Sequence, residues 1–570
     1  MAWKPRLGHA LRRVRVFKEA EKLSRRSRDD GQAGSLSYCS RCEHCLVGIP
    51  NTLVISWIER ESERMPRLKP IRIASWLNVG LTVGLTVGSG VVCMAFSALG
   101  GHPSFGPAHD GPAYNSPAYI GYDQARPILD ALKQVLPPEL QSLPAQNASA
   151  LWDQWVAARD RQIRSRLERG DEDSLVNFLL FGTSFTTQKR LTLEFLAEVG
   201  RKQANAGSSV SPEGADLMAT VRARADDLVR GMQAPGQNER LTFVRRLLER
   251  KGYTLTDQAS RNRARDFLLA SFARVLGDQA SYAESLENAR KTGDASQEFA
   301  ERSRLYRERG LSSDTSLFPD FAIAETLAAM KSRGLLAPGS VRRVAIVGPG
   351  LDFTDKQDGY DFYPLQSVQP FAVMDSLLRL GLSSPQSLGV ATFDLSPRIN
   401  DHLAQAAASA RRGIGYTVQL PFDTGRGLKQ GLSDYWSGFG GHIGTPVQPA
   451  PVPPAFEQTR VRAIRVRPEL VARLTPVDLN IVLQRLQLDP GDKFDLIIAT
   501  NILVYYDTFE QSLALANVAS MLRPSGFLLS NNGLTELPSI PMHSVDYQTV
   551  VYSDRPGDGD HIVWYQRTGQ

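Results

Sequence analysis

Hydrophobic positions recur along this chain in two ways, as helical stripes and as short unbroken runs, and the change from one to the other divides it. Between residues 121 and 335 the stripes dominate. Ile128, Leu129, Leu132, Val135 and Leu136 repeat at helical spacing up to Pro137-Pro138, and Leu151, Trp152, Trp155, Val156, Ile163 and Leu167 form a second apolar face. Further stripes at Leu175 to Leu180, Leu191 to Val199, Leu241 to Leu248 and Phe267 to Leu276 predict an all-α helical domain over 121–335, interrupted by the Gly-Ser-Pro stretch 206–214. Trp152 and Trp155, one turn apart on such a face, belong in its core.

From Val341 the apolar residues cluster instead. Val344-Ala345-Ile346-Val347 is a buried strand that runs into Gly348-Pro349-Gly350. A helix through Phe371, Met374 and Leu378 follows, ending near Gly381, and then a strand from Leu388 to Phe393 ends in Asp394. Phe494 to Asn501 reads as a third strand, continuing into Ile502-Leu503-Val504-Tyr505-Tyr506-Asp507. A helix from about Phe509 to Leu522, the turn Arg523-Pro524-Ser525-Gly526 and the strand Phe527 to Asn531 come next. Thr549 to Tyr552 and Ile562 to Gln566 flank a turn-rich stretch as a closing hairpin. This alternation predicts an α/β fold for 341–570, a Rossmann-like, mostly parallel sheet with a C-terminal antiparallel hairpin.

The N-terminal hundred residues differ from both regions. Residues 1–64 are basic, with runs such as Arg12-Arg13-Val14-Arg15, and read as a disordered extension. Over 65–101 a basic start leads into an apolar stretch without charge from Ile73 to Gly101, an N-terminal apolar helix suited to a signal peptide or a transmembrane anchor. Membrane anchoring or export is therefore the expectation, with a cytoplasmic protein as the alternative. Residues 102–120 read as a linker. All four cysteines lie in the first hundred residues, and Cys39, Cys42 and Cys45 have metal-like spacing but no fourth ligand at the usual distance. The net charge of +6 sits largely in the same extension, and no platform of aromatics among Lys and Arg is present, so no nucleic acid partner is expected.

Candidate chemistry concentrates at the strand ends. A Gly-x-Gly turn after a buried strand lets backbone approach a cofactor, and a carboxylate at the end of the next strand can accept both hydroxyls of a ribose. The succession VAIVGPG, TFDLSP, FDLIIATNILVYYD and MLRPSGFLLSNN resembles the ordered motifs of class I S-adenosylmethionine-dependent methyltransferases. Its fourth-strand segment is similar to that of the chemotaxis receptor methyltransferases, with Thr500 where that family has arginine. The resemblance covers about 230 residues. It implies S-adenosylmethionine as cofactor, Gly348 and Gly350 under its methionine and ribose portions, Asp394 on the ribose hydroxyls and Asn501 near the methyl group. It also implies an acceptor pocket near Tyr505, Tyr506 and Asp507, for a methyl acceptor that the sequence does not identify. Packing at a strand-to-helix junction is an equal reading of the two tyrosines.

Two departures qualify the resemblance. Val347 or its apolar neighbours stand where motif I usually opens with an acid, which removes one contact to the cofactor's amino group. Gly350 and Asp394 are 44 positions apart, about twice the ~20 usual in a nucleotide-binding unit. The extra length, Leu351 to Gln369, carries Asp352, Asp355, Asp358 and Asp361 at intervals of three, and its place suggests a lid or acceptor loop, with Asp352 and Asp355 as further acceptor-pocket candidates. Regular aspartates suit a hard cation, but the interval does not reproduce a calcium loop and no resident metal is expected. A second insert, Asp423 to Phe456, contains His442, a candidate for acid–base work. A non-catalytic exported or membrane-tethered protein that keeps the fold for binding is the alternative to a methyltransferase.

Overall fold

The computed structural model describes residues 114–192, 211–291, 310–351, 358–423, 427–555 and 558–569, with 195–196, 198–200, 202 and 306. The basic extension, the apolar segment 65–101, the cysteines, most of the linker, and Asp352 and Asp355 lie outside them. Among the described residues no helix is long and apolar enough to cross a membrane.

The architecture is mixed α/β around a seven-stranded sheet. Its parallel part consists of β7 (Leu474–Asp478), β3 (Gly389–Asp394), β2 (Arg343–Val347), β9 (Phe494–Ala499) and β10 (Leu522–Ser530), neighbours in that order. Strand order reverses between β2 and β9, so the sheet has the switch point of a Rossmann-like fold. The antiparallel hairpin of β11 (Met542–Val551) and β12 (Gly559–Arg567) closes one edge, with β12 against β10. The hairpin is longer than its apolar residues alone predict, because polar side chains such as His543, Ser544 and Gln548 share its strands.

The strands are apolar on both faces because both are covered. Val344, Ile346, Val390, Leu496, Ile498 and Leu529 pack with α6 (Leu317–Ser332), α7 (Gln369–Arg379) and α8 (Pro397–Arg411). Ala345, Val347, Ala391, Phe393, Ile497 and Leu528 pack with α1 (Tyr122–Ala131), the first half of α2 (Ala148–Phe181) and α11 (Thr508–Met521). A three-stranded antiparallel sheet of β4 (Tyr416–Asp423), β6 (Thr459–Val466) and β5 (Gly444–Val447) joins the first layer, partly within the stretch expected as a Gly- and Pro-rich insert.

The region 121–335 divides between two cores. Trp152 is fully buried against the sheet layer, stacked on Trp155 with ring centroids 5.3 Å apart, and its indole N–H donates to the Ile120 carbonyl at 2.8 Å. The second half of α2, from Leu175 to Phe181, joins instead a helical bundle with α3 (Pro212–Gln233), α4 (Glu239–Arg250) and α5 (Gln258–Lys291). At ~1.5 Å per residue, the 34 residues of α2 extend about 50 Å and connect the two cores.

Candidate functional site

The carboxyl ends of β2, β3, β7 and β9 converge on the switch point, where an open α/β sheet holds its ligand. At the end of β2, Gly348 and Gly350 adopt φ of +67° and +73°, which the right-handed preference of other residues disfavours. The space a side chain would take there belongs to this chain's own atoms. A Cβ on Gly348 would lie 2.2 Å from Ile502 Cδ1, and one on Gly350 would lie 2.2 Å from the Asp314 carbonyl oxygen. The turn thus needs glycine for backbone conformation and for close packing alike.

Asp394 ends β3 and is half-buried. One carboxylate oxygen accepts the Ser396 N–H at 2.8 Å, and burial pushes its pKa up to about 7 against the hydrogen bonds and the nearby Arg398 that lower it. The backbone N–H groups of Ser396 and Leu395 both lie on this carboxylate, which as an acceptor-only group is suited to a ligand's hydroxyls. Beside it in register, at the end of β7, stands Asp478, whose carboxylate pairs with Arg164 of α2 at 2.8 Å. Sequence reasoning missed Asp478. Its signal was a strand of five residues with a central proline, too short to stand out, yet ending in an acid as β3 does.

Asn501 follows β9 with φ of +59°, a region asparagine tolerates better than most residues. Its N–H donates to Asn531 Oδ1 at 2.8 Å, and the Asn531 amide donates back to Asn501 Oδ1, which fixes the turn against the end of β10. Thr500 Oγ1 accepts from Gln369 Nε2 at 3.3 Å, at the N-terminus of α7. Gly348, Gly350, Asp394 and Asn501 therefore share one end of the sheet.

The tyrosines sit further along the same loop. Arg166 of α2 donates to the Tyr505 carbonyl at 3.1 Å and the Tyr306 carbonyl at 2.9 Å, with its guanidinium carbon 5.8 Å and 5.9 Å from the rings of Tyr505 and Tyr506. Tyr506 is buried, and that burial raises its pKa. Asp507 caps α11, accepting the Glu510 N–H at 2.9 Å while Glu510 accepts the Asp507 N–H at 3.2 Å. Asp507 and Glu510 also line a pocket of about 340 Å³ with Trp155 and Arg159.

No family model matches the sequence, and no curated protein does. Solved structures do match. The N-methyltransferase NodS from Bradyrhizobium japonicum WM9, in complex with S-adenosyl-L-homocysteine, is 11% identical over 43% of this chain and 88% of that one, with a TM-score of 0.21. Magnesium protoporphyrin IX methyltransferase (ChlM) from Synechocystis PCC 6803, with bound SAM, is 13% identical over 48% and 85%, also at 0.21. The [4+2]-cyclase SpnF is 13% identical over 43% and 81%, at 0.20. Likenesses of this size carry no chemistry to this chain.

The described part of the insert is docked on the bundle. Asp361 accepts the Thr183 N–H and Oγ1–H at 2.8 Å each and the Ser184 N–H at 2.7 Å, just past the end of α2. Arg240 of α4 donates to the Tyr363 carbonyl at 2.6 Å, and Glu239 accepts the Leu365 N–H at 2.7 Å. Asp361 is thus an anchor between the two cores, a use its regular spacing did not reveal. No cluster of potential metal ligands occurs among the described residues. His442 is half-exposed, and its backbone N–H donates to the buried Asp375 at 3.0 Å.

Proposed function

We propose that the chain is an S-adenosylmethionine-dependent methyltransferase whose cofactor lies in the cleft between the Gly348–Gly350 turn, Asp394 and Asn501. The observation that carries this reading is the desolvated Asp394 carboxylate at the end of the strand beside the glycine turn, one position from the reversal of strand order. An acceptor-only group held there suits the paired hydroxyls of a ribose, and so fits a nucleoside cofactor.

When bound, the sulfonium would supply an activated methyl group, so the protein's part is alignment and exclusion of water. The positive-φ backbone at Gly348 and Gly350 holds one wall, Asp394 fixes the ribose, and the Asn501–Asn531 pair sets the wall beside the methyl. Arg166 positions Tyr505 and Tyr506 by gripping the loop's backbone, and these rings border the acceptor's approach. Asp507 acts mainly through its cap, setting the direction in which α11 leaves the loop.

Calorimetric titration of the full chain with S-adenosylmethionine and S-adenosylhomocysteine tests this reading. Saturable binding of both is expected, with at least about a hundredfold loss in Asp394→Ala, or roughly 2.7 kcal/mol. Absence of heat from folded protein at millimolar ligand would remove the proposal.

A further inference from the structure

A pocket of about 340 Å³ lies between the turns Lys133–Val135 and Pro138–Leu140, one side of α2 and the start of α11, within the size range of small-ligand sites. None of the residues that line it belongs to the strand ends proposed for the cofactor. One side of the pocket is apolar. Val135, which is exposed, and Pro137 border it, as does the half-buried Trp155 of α2. The Trp155 indole stacks on Trp152, with centroids 5.3 Å and planes 24° apart, and Phe509 stands tilted beside it at 5.7 Å. Trp155 is thus held by its neighbours with part of its aromatic surface left to the pocket.

The other side carries charge, and its balance is negative. Arg159 is already committed, since its Nε donates to Glu510 Oε1 at 2.6 Å and a terminal nitrogen donates to Gln162 Oε1 at 2.6 Å. Glu510 is buried, which raises its pKa, and the Arg159 guanidinium opposes that shift. Asp507 caps α11 and so answers the positive end of that helix. Glu139 is exposed and has no ion-pair partner among the described residues, while Lys133, the nearest cation along the chain, pairs with Asp130 at 3.6 Å. Three carboxylates therefore meet one guanidinium and about half a positive charge from the helix end, which leaves the pocket negative by roughly 1.5 charges. An anion would have to compete with the buried Glu510 for the pocket's one guanidinium.

We infer that this pocket binds a small organic cation, an ammonium that carries apolar groups, set against the Trp155 ring and facing Glu139 and Asp507. A cation beside an indole gains from the ring's quadrupole, the more so where water is partly excluded. The apolar substituents cover Val135 and Pro137, and the carboxylates supply the charge complement that a neutral ligand of the same shape cannot use. The site is separate from the one proposed for the cofactor, and the inference does not depend on that proposal.

Three probes of one shape test the assignment on the full chain without S-adenosylhomocysteine: choline, its neutral isostere 3,3-dimethylbutan-1-ol and the anion 3,3-dimethylbutyrate. Binding is followed by saturation-transfer NMR on the trimethyl or tert-butyl signal of each. Saturable transfer to choline is expected, with the alcohol and the anion at least about tenfold weaker. Choline affinity is expected to fall about three- to fivefold in Glu139→Gln and about tenfold in Trp155→Leu. Should Trp155→Leu fail to fold, as judged by thermal unfolding, Glu139→Gln on its exposed turn decides alone. No transfer to choline at about 20 mM from folded protein would overturn the inference. So would an alcohol or anion that binds as well as choline, or choline binding that both substitutions leave unchanged.

Discussion

The sheet and the helical bundle bury charge in opposite ways. In the bundle, the fully buried Arg224 of α3 is spent on backbone: it donates to the Leu179 carbonyl at 2.7 Å, the Lys189 carbonyl at 3.2 Å and the Gly182 carbonyl, closing the end of α2. Arg240 and Asp361 likewise hold chain ends and the docked insert. At the sheet's carboxyl end, by contrast, Asp394 accepts from the backbone of its own turn while burial raises its pKa, and the neighbouring Gly348 and Gly350 are held at positive φ. A carboxylate with its pKa raised by burial at such a strand end is the kind of group on which the proposed site is built. The bundle turns its buried charge on its own backbone, and the sheet end keeps its charge at the proposed site.

The glycines break this comparison most severely. Gly350→Ala is expected to cost about 3–4 kcal/mol in denaturant unfolding, from the left-handed backbone and the clash with Asp314 together. Gly381→Ala, at φ of +64° but with open space around it, is expected to cost only about 1 kcal/mol. Equal costs would show that Asp314 does not press on the turn.

On the bundle side, Arg224→Met leaves the carbonyls of Leu179, Gly182, Gln188 and Lys189 without this donor and is expected to cost about 2–3 kcal/mol, read as a lower unfolding midpoint. Nucleoside binding should be unchanged where the protein remains folded. A large loss of binding would give the bundle a direct part in the site.

A smaller effect sharpens the role of Asp394. Its folded pKa is raised to about 7, so between roughly pH 4 and 7 the folded state keeps a proton that the unfolded chain has released, and this group lowers stability as pH rises through that window. Donation by ribose hydroxyls favours the ionised form. S-adenosylhomocysteine affinity should therefore rise by up to about tenfold per unit as pH approaches 7, then level off, and Asp394→Asn should flatten the profile. A profile that is already flat in the unaltered chain would contradict the assignment.

Much of the sheet was legible because β2, β3 and β9 are buried on both faces and read as unbroken apolar runs ending in Gly348 and Asp394. The turn at Arg523-Pro524-Ser525-Gly526 was legible from composition, and it survives as a bulge inside β10, with Ser525 at φ of +62° and a register shift against β9. β7 was not legible, since an edge strand with Pro476 lacks the run length of its neighbours. The small sheet of β4 to β6 was hidden by half-exposed strands and by the glycines and prolines between them. Nor does amphipathicity name a helix's partner. The first half of α2 packs on the sheet and the second half in the bundle, although both carry the same kind of stripe. The packing of Asp314 on Gly350 was illegible for a further reason: the two lie 36 positions apart, and neither local pattern points to the other.

Hydrogen exchange with and without S-adenosylhomocysteine tests the division of labour most directly. Slowed exchange is predicted at residues 311–316, 347–351, 393–398 and 499–506, with the bundle helices at 217–232 and 264–276 unchanged. Protection confined to those bundle helices, or none at saturating ligand, would contradict it.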